Sequence, residues 1–154
     1  RQMCIRDSIC VVTVRDTRKA LSALSAAFFD HPAERMKMIG ITGTNGKTTT
    51  AFLTAGILQE AGYRVGMIGT IESYDGRRRE TVKNTTPESC EIHRLLFRMV
   101  ENECDCCVME VSSQGIALQR TADVFFDIGV FLNIEPDHIG KGEHAVWHWH
   151  CESG

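Results

Sequence analysis

Apolar positions along the chain fall into short continuous runs, separated by stretches in which they recur at helical spacing. The short runs predict strands at residues 9–14, 36–42, 63–74, 79–86, 106–111 and 126–133. The helically spaced stretches predict helices at residues 15–32, 47–62, 87–103 and 114–120. In the first helix the spaced apolar residues are Ala20, Leu21, Leu24, Ala27 and Phe28.

Proline and glycine mark the predicted helix ends. Pro32 ends the first helix, and Gly62 closes the second. The stretch TTPES is typical of a threonine cap with Pro87 at the first position of the third helix. The turn DGRR at 75–78 joins two strand-like runs and predicts a hairpin.

Strands that alternate with helices of this length predict right-handed crossovers and a parallel sheet. The predicted fold class is therefore α/β, a P-loop-type, mostly parallel sheet flanked by helices. Ligands of such sheets bind at the carboxyl ends of the strands. Polar clusters follow four of the predicted strands, and they are GTNGKTT, TTPES, EVSSQ and NIEPDH. We therefore expect the functional site along that edge.

Composition narrows the class of protein. The 154 residues suffice for one domain with a core, and 43% are hydrophobic and 24% charged, as in soluble globular proteins. A net charge of −3 provides no basic field, so we expect no nucleic-acid partner. No apolar run approaches the roughly 20 residues that span a bilayer, so we expect no membrane insertion. The N-terminal apolar run lacks a signal-peptide cleavage site.

Cysteine and histidine spacing provides no strong metal signal. The seven cysteines lack the pattern of a disulfide framework, which predicts reduced thiols and a cytoplasmic protein. Cys104 and Cys107 form a CxxC without a second pair, so buried packing is favoured over a metal or redox role. In the tail HAVWHWHC, His144 and His148 lack the HExxH order, so a solvated tail is favoured over metal binding.

The stretch GITGTNGKTTT joins a predicted strand to a predicted helix. Gly43 and Gly46 allow the chain to curve around a phosphate, where backbone N–H groups and the helix dipole attract the anion. Lys47 is placed to reach the β and γ oxygens, and the Thr48 hydroxyl is placed to ligate Mg²⁺. The alternative is a helix entry that merely favours glycine and threonine.

Two further clusters supply candidate metal ligands. Glu110 ends a buried apolar strand beside the glycine loop, where Mg²⁺ would offset the cost of a buried carboxylate. The alternative is a glutamate exposed to solvent at the strand end. NIEPDHI places Asn133, Asp137 and His138 on a strand-end loop, where the histidine would join the metal shell or contact phosphate. The alternative there is an ordinary polar loop.

The ordered motifs GITGTNGKTTT, NTTPES, MEVSSQGIALQR and NIEPDHIGKGEH resemble the central, ATP-binding domain of the Mur ligases, which build the peptidoglycan stem peptide. They are most similar to the branch that adds the third amino acid, the UDP-N-acetylmuramoyl-tripeptide synthetases. The resemblance covers residues 9–145. Ile41 departs from the general P-loop pattern but is normal in this family, and Leu118 and Leu132 depart from the family pattern.

The resemblance implies an ATP-dependent acid–amino-acid ligase of cell-wall synthesis. ATP would phosphorylate the carboxylate of a UDP-N-acetylmuramoyl-peptide, and an amino acid would attack the acyl phosphate. The loop residues implied to bind ATP are Gly43, Thr44, Asn45, Gly46, Lys47, Thr48 and Thr49. The implied catalytic residues are Lys47, Glu110 and His138, and the implied magnesium ligands are Thr48, Glu110 and His138. The implied substrate contacts are Asn84, Thr85, Thr86, Ser112 and Arg120.

The resemblance also divides the chain. Residues 1–8 match nothing in the family, 9–35 resemble the tail of the N-terminal substrate domain and its linker, 36–144 resemble the central domain, incomplete, and 145–154 are again unmatched. The family's C-terminal domain and the lysine-bearing helix after the last motif have no counterpart in this sequence. We therefore expect a truncated chain that is inactive alone and belongs to an enzyme that is monomeric in its full-length form.

Three alternatives remain open from the sequence. A related ligase of the folylpolyglutamate or cyanophycin type would share the loop, although NTTPES and MEVSSQ favour the first assignment. A P-loop NTPase or phosphotransferase would need an arginine finger, for which Arg120 and GRRR at 76–79 are the candidates, although GRRR is typical of a solvated turn. A nucleotide-binding domain without activity would bind and not turn over.

Overall fold

The computed structural model describes residues 11–135, and the architecture is that of a six-stranded sheet with helices on both faces. The strands are β1 (Lys37–Thr42), β2 (Val65–Ile68), β3 (Ser73–Tyr74), β4 (Arg79–Glu80), β5 (Cys106–Glu110) and β6 (Ile128–Phe131). The helices are α1 (Thr17–Phe28), α2 (Lys47–Glu60), α3 (Ser89–Glu101) and α4 (Ser113–Ala117), with a 3₁₀ turn at Pro32–Arg35.

The sheet has the strand order β4-β3-β2-β5-β1-β6. Strands β2, β5, β1 and β6 are parallel, whereas β3 and β4 form an antiparallel hairpin at one edge. The mostly parallel α/β fold and the hairpin around DGRR are thereby confirmed. Because β1 and β5 are neighbours, the loop after β1 and the last residue of β5 lie at the same edge of the sheet.

Side chains of the two central strands alternate between two apolar cores. Met38 and Met109 belong to the core under α3, whereas Ile41 and Val108 belong to the core under α2. All five residues of β5 are buried, as expected for a parallel strand that is covered on both faces. This packing fixes the position of Glu110 at the carboxyl end of β5, which decides the geometry of the site.

Helix α1 lies within the predicted stretch 15–32, but it ends at Phe28 and not at Pro32, and it presents a different face to the core. Leu21, Leu24 and Phe28 are exposed, and Phe28 keeps 81% of its accessible surface. The buried residues are the small ones, which include Ser22 and Ser25. The Ser25 hydroxyl donates to the Leu21 carbonyl (2.6 Å), so small side chains with satisfied hydroxyls allow α1 to pack closely against α3.

Other predicted boundaries are wrong. Residues 11–14 form no strand, and residues 9–10 lie outside the described residues. In the predicted strands 63–74 and 79–86, residues 63–64, 69–72 and 81–86 are not in strands. Pro87 precedes the N-cap Glu88 and is not the first helical residue, and Glu88 makes no side-chain capping bond among the described residues. An apolar run becomes a strand only where a neighbouring strand supplies hydrogen bonds, which spacing alone does not reveal.

The cysteines of the described part of the chain are free thiols. Cys104, Cys106 and Cys107 are buried, and burial raises the pKa of Cys104 to about 11. They therefore act as small core residues in the protonated form, as the sequence predicts. Within residues 11–135 no helix has both the length and the hydropathy required to cross a membrane.

Candidate functional site

The loop from β1 to α2 curves through two glycines. Gly43 has φ +146° and Gly46 has φ +87°, and both values lie in the region that favours glycine. A Cβ at Gly43 would lie 3.0 Å from Cβ of Leu132 and 3.1 Å from the backbone nitrogen of Asn133. The loop therefore passes directly against the segment that follows β6, and residue 43 has no room for a side chain.

Helix α2 begins with its first-turn N–H groups facing this loop. Its N-cap is Gly46, which makes no side-chain capping bond among the described residues. Backbone N–H groups at a helix start carry partial positive charge and bind anions when no side chain accepts from them. The residues predicted to bind ATP, 43–49, thus lie together on one curved loop and helix start.

Lys47 lies over the curved loop. Its Nζ donates to the carbonyl oxygens of Gly43 (2.7 Å) and Thr44 (3.0 Å). The two contacts hold the ammonium at the concave side of the loop, within reach of an anion bound by the backbone N–H groups. The contact of Lys47 with phosphate, which the loop pattern predicts, stays a prediction.

Glu110 is 1% exposed, and its carboxylate receives three hydrogen bonds. Oε2 accepts from the hydroxyls of Thr48 (2.8 Å) and Thr70 (3.1 Å), and Oε1 accepts from the Thr70 backbone N–H (2.9 Å). All three donors are neutral. Among residues 11–135, no lysine or arginine forms an ion pair with Glu110. The predicted solvent-exposed alternative for this glutamate is therefore wrong.

A divalent cation fits this arrangement. A buried carboxylate without a cationic partner is costly, and Mg²⁺ prefers oxygen ligands from one or two carboxylates plus water and phosphate. Glu110 and the Thr48 hydroxyl supply such oxygens beside the loop. The described residues contain no group of three or more His, Cys, Asp or Glu side chains that could hold a metal by themselves. The site thus fits a magnesium ion that arrives with a nucleotide.

Gly69 and Thr70 are functional candidates that sequence reasoning missed. A Cβ at Gly69 would lie 2.4 Å from Oε1 of Glu110, so the glycine leaves the room that the carboxylate occupies. The signal was present, because Gly69 and Thr70 follow the apolar strand β2 directly, as the loop residues follow β1. This position alone does not indicate a functional site, because a single Gly-Thr pair occurs commonly after strands.

The predicted substrate residues of the NTT segment differ in exposure. Asn84 is exposed and Thr85 is half-buried, with its Oγ1 3.0 Å from Oγ1 of Thr70. Thr86 is fully buried, and its hydroxyl donates to the Glu110 carbonyl (3.1 Å) and accepts from the Ser112 backbone N–H (2.9 Å). This placement favours a supporting role for Thr86, which ties the segment to the end of β5.

Ser112 and Arg120 lie beside that segment. The Ser112 hydroxyl caps α4 by accepting from the Gly115 N–H (3.0 Å). Arg120 donates to the Thr86 carbonyl (3.0 Å) and pairs with Glu88 (2.8 Å). Within the described residues its Nε is buried and has no hydrogen-bond partner. Thr86 thus connects Ser112 and Arg120 to the end of β5, and Thr85 is its neighbour in the chain.

The segment after β6 holds the loop in place. Asn133 exchanges two hydrogen bonds with the backbone of Asn45, and the Thr44 N–H donates to the Asn133 carbonyl (3.1 Å). The Glu135 backbone N–H donates to the Thr44 hydroxyl (2.9 Å). Asn133 is therefore a loop-positioning residue, which the sequence alone did not reveal. His138, the third predicted metal ligand and catalytic residue, lies with Asp137 outside the described residues.

The comparisons with known proteins agree on one family. Residues 41–145 match the family model of the Mur ligase middle domain. The chain is 46% identical over 88% of its length to the UDP-N-acetylmuramoyl-L-alanyl-D-glutamate–2,6-diaminopimelate ligase of Clostridium perfringens, of which it covers 28%. It is 41% identical over 92% of its length to the corresponding L-lysine ligase of Enterococcus faecalis, and it again covers 28%.

A solved structure of a UDP-N-acetylmuramoyl-L-alanyl-D-glutamate–2,6-diaminopimelate ligase superposes with a TM-score of 0.67, at 21% identity, over 81% of this chain and 26% of that chain. This likeness shows the fold. In these comparisons the chain spans about a quarter of the length of the relatives that it matches.

Proposed function

The chain belongs to the Mur ligase family, and from this membership we propose that it is the nucleotide-binding domain of a ligase that adds one amino acid to a UDP-N-acetylmuramoyl-dipeptide. The observation that carries the proposal is the buried Glu110 carboxylate. It lies 2.8 Å from the Thr48 hydroxyl, at the end of the strand beside the glycine loop. A buried acid at this place supports a nucleotide site that requires a metal.

The proposed reaction has two steps. The terminal carboxylate of the dipeptide attacks the γ-phosphorus of ATP, which forms an acyl phosphate and ADP. The amine of the incoming amino acid then attacks the acyl carbon, which forms the amide and releases phosphate. Magnesium, when bound, would neutralise phosphate charge during both steps. The amino acids named for the two relatives are 2,6-diaminopimelate and L-lysine, and we propose this class of acceptor.

The chain's own groups have distinct tasks in this scheme. The N–H groups of the loop and of the first turn of α2 bind the phosphates, and Lys47 stabilises the charge on the transferred group. Thr48 and Glu110 hold the metal, and we place His138 there as the third ligand. Hydrogen bonds within the chain hold Lys47, Thr48 and Glu110 in place for these tasks.

The substrate side of the site lies next to Glu110. We propose that the nucleotide-peptide contacts Asn84, Thr85, Ser112 and Arg120. Thr86 supports them, because its hydroxyl ties the segment 84–86 to the end of β5. The pair between Arg120 and Glu88 orients the guanidinium (2.8 Å). The reaction would take place in the cytoplasm, where the nucleotide-linked substrate and ATP are both present. That the chain is inactive alone stays a prediction.

The structure supports an NTPase or phosphotransferase less well. Arg120 donates to the Thr86 carbonyl and pairs with Glu88, so it is committed to the NTT segment. In GRRR, Arg79 pairs with Glu72 on the hairpin. Arg120 and Arg79 are thus both held by acidic partners, whereas a ligase does not require an arginine finger.

The test uses a chimera in which this chain replaces the matching segment of the Clostridium perfringens relative. Phosphate release is measured with ATP, the UDP-N-acetylmuramoyl-dipeptide and 2,6-diaminopimelate, together and with each omitted. The proposal predicts release that requires all three and that Lys47→Ala abolishes. Release that needs only ATP would favour the NTPase. Nucleotide binding by a folded chimera without release would favour a nucleotide-binding domain without activity.

A further inference from the structure

We propose that Thr70 is a positioning residue that orients the Glu110 carboxylate toward the divalent cation and couples it to the segment 84–86. The inference rests on the proposed function, because it assigns Glu110 to a metal that accompanies a nucleotide. Nothing in the motifs of the chain marks Thr70, which lies between the hairpin and the end of β2. The contacts of both its backbone and its side chain lead to this assignment.

Thr70 contacts both oxygens of the carboxylate. Its backbone N–H donates to Oε1 (2.9 Å), and its hydroxyl donates to Oε2 (3.1 Å). Two donors from one residue fix the plane of a carboxylate, which a single hydrogen bond leaves free to rotate. Thr48 then adds a third contact at Oε2 (2.8 Å). Donors such as the two of Thr70, which orient a metal ligand without touching the metal, contribute to the affinity of a metal site.

The residue before Thr70 makes this approach possible. Gly69 lies so close to the carboxylate that a Cβ would be 2.4 Å from Oε1. The backbone N–H of Gly69 donates to the Glu72 carbonyl (3.1 Å), which shapes the turn that presents Thr70. Gly69 and Thr70 thus form one structural unit, in which the glycine provides space and the threonine provides the two donors.

Thr70 also contacts the predicted substrate segment. Its Oγ1 lies 3.0 Å from Oγ1 of Thr85, so one hydroxyl joins the Glu110 side chain to the segment 84–86. A change in the carboxylate on metal binding would alter the hydrogen bond between the Thr70 and Thr85 hydroxyls. The geometry therefore predicts that occupation of the nucleotide side is sensed at Thr85.

A purely structural role would not explain the threonine. Thr70 is exposed, so its methyl and hydroxyl groups add little to the core. Thr70→Val keeps the backbone N–H and the shape of the side chain and removes only the hydroxyl. Thr70→Ser keeps the hydroxyl and removes the methyl group. Thr81→Val is the matched control, because Thr81 is also an exposed threonine and follows β4 at the other end of the hairpin.

The experiment measures ATP affinity of this chain by calorimetry, with Mg²⁺ and with EDTA. We expect Mg²⁺ to raise the affinity of the parent chain and of Thr70→Ser and Thr81→Val alike. In Thr70→Val we expect a loss on the order of tenfold in that magnesium-dependent gain, with the affinity in EDTA unchanged. In amide NMR spectra, the Thr85 shift on Mg·ATP binding should disappear in Thr70→Val.

The outcomes separate this inference from the proposed function. If Thr70→Val keeps the full magnesium-dependent gain while Glu110→Gln loses it, the inference is wrong and the proposed metal site stands. Loss of the gain in both Thr70→Val and Thr70→Ser would also overturn it, since the hydroxyl would then not be the cause. A folded parent chain that binds no ATP in either condition would contradict the proposed function together with the inference.

Discussion

The side-chain amide of Asn133 pairs with the backbone of Asn45 across the candidate site. Its Oδ1 accepts from the Asn45 N–H (3.0 Å), and its Nδ2 donates to the Asn45 carbonyl (3.1 Å). The side-chain amide thus satisfies both the backbone N–H and the backbone carbonyl of Asn45, as a residue on a neighbouring strand would. The shape of the loop therefore depends on a residue that follows Asn45 by 88 positions and lies beyond the end of β6.

We predict that Asn133→Ala weakens ATP binding on the order of tenfold, because both hydrogen bonds to the loop are lost and its N–H groups are no longer held in place. Calorimetric titration of ATP into the variant measures the effect. The control is Ile134→Ala, since Ile134 is the neighbouring residue and is exposed. Equal affinities for Asn133→Ala and the parent chain would show that the loop keeps its shape without the amide.

Gly69→Ala should remove most of the magnesium dependence of ATP binding. The new Cβ would lie 2.4 Å from Oε1 of Glu110, and the carboxylate cannot move without losing its contacts to Thr48 and Thr70. Gly56→Ala is the control, because no heavy atom of the described residues lies within 4 Å of a Cβ there.

Gly56 lies within α2, so its replacement by alanine should stabilise the chain by about 0.5–1 kcal/mol and leave binding unchanged. Urea unfolding and calorimetry together separate the two glycines. A Gly69→Ala variant with the full magnesium effect would mean that Glu110 does not hold the ion.

His93 should make the fold sensitive to mild acid. It is fully buried, and among the described residues neither ring nitrogen has a hydrogen-bond partner. Burial lowers the pKa of His93, with a smaller opposing effect from Asp123 and a lowering effect from His31. The unfolded chain therefore binds this proton more readily than the folded chain, and stability falls as the pH drops below about 6.5.

In His93→Leu this loss should be absent, so the free energy of unfolding should change less between about pH 6.5 and 5 than in the parent chain. Urea unfolding at a series of pH values measures it. Identical slopes for the two proteins across that range would show that His93 is not the titrating group.

Asp75 anchors the β3–β4 hairpin to α3. It is 2% exposed, pairs with Arg98, and accepts from the backbone N–H groups of Arg77 (3.0 Å) and Arg78 (2.7 Å). Burial alone raises the pKa of Asp75, but the N–H groups of Arg78 and Arg77 and the Arg98 guanidinium together hold it below its ordinary value. The stability that it contributes is thus present above about pH 4 and is lost as the pH falls through the lower, folded pKa.

We predict that Asp75→Asn lowers the free energy of unfolding by about 2 kcal/mol at pH 7, because Arg98 loses its buried partner and keeps only the partly exposed Glu80. The difference from the parent chain should narrow below about pH 4, where the parent carboxylate also becomes neutral. Urea unfolding at both pH values tests this. A difference that is the same at both would mean that the charge of Asp75 does not matter.

The sequence predicts those parts of the site that depend on chain order. A glycine loop between a strand and a helix defines its own geometry, and parallel strands bring Thr48 and Glu110 to one edge. The roles of Thr70 and Asn133 depend on which strands are neighbours, since β2 lies beside β5 and β6 beside β1. Spacing along one chain does not contain that information.

The exposed face of α1 differs from the pattern for a related reason. Apolar spacing identifies the helix but not the neighbour against which it packs, and close packing on α3 selects Ser22 and Ser25 over the leucines. A buried serine whose hydroxyl bonds within its own helix is as compatible with a core as an alanine. The helix could therefore be predicted from the sequence, and its buried face could not.

A calorimetric titration of Mg·ATP into this chain and into Lys47→Ala tests directly whether residues 43–49 bind the nucleotide. Circular dichroism shows that both proteins are folded. We expect saturable binding by the parent chain and affinity lower on the order of tenfold or more in Lys47→Ala, because the loop loses the ammonium that is hydrogen-bonded to it. Equal binding by the two folded proteins, or none by either, would contradict the assignment of residues 43–49 as the nucleotide site.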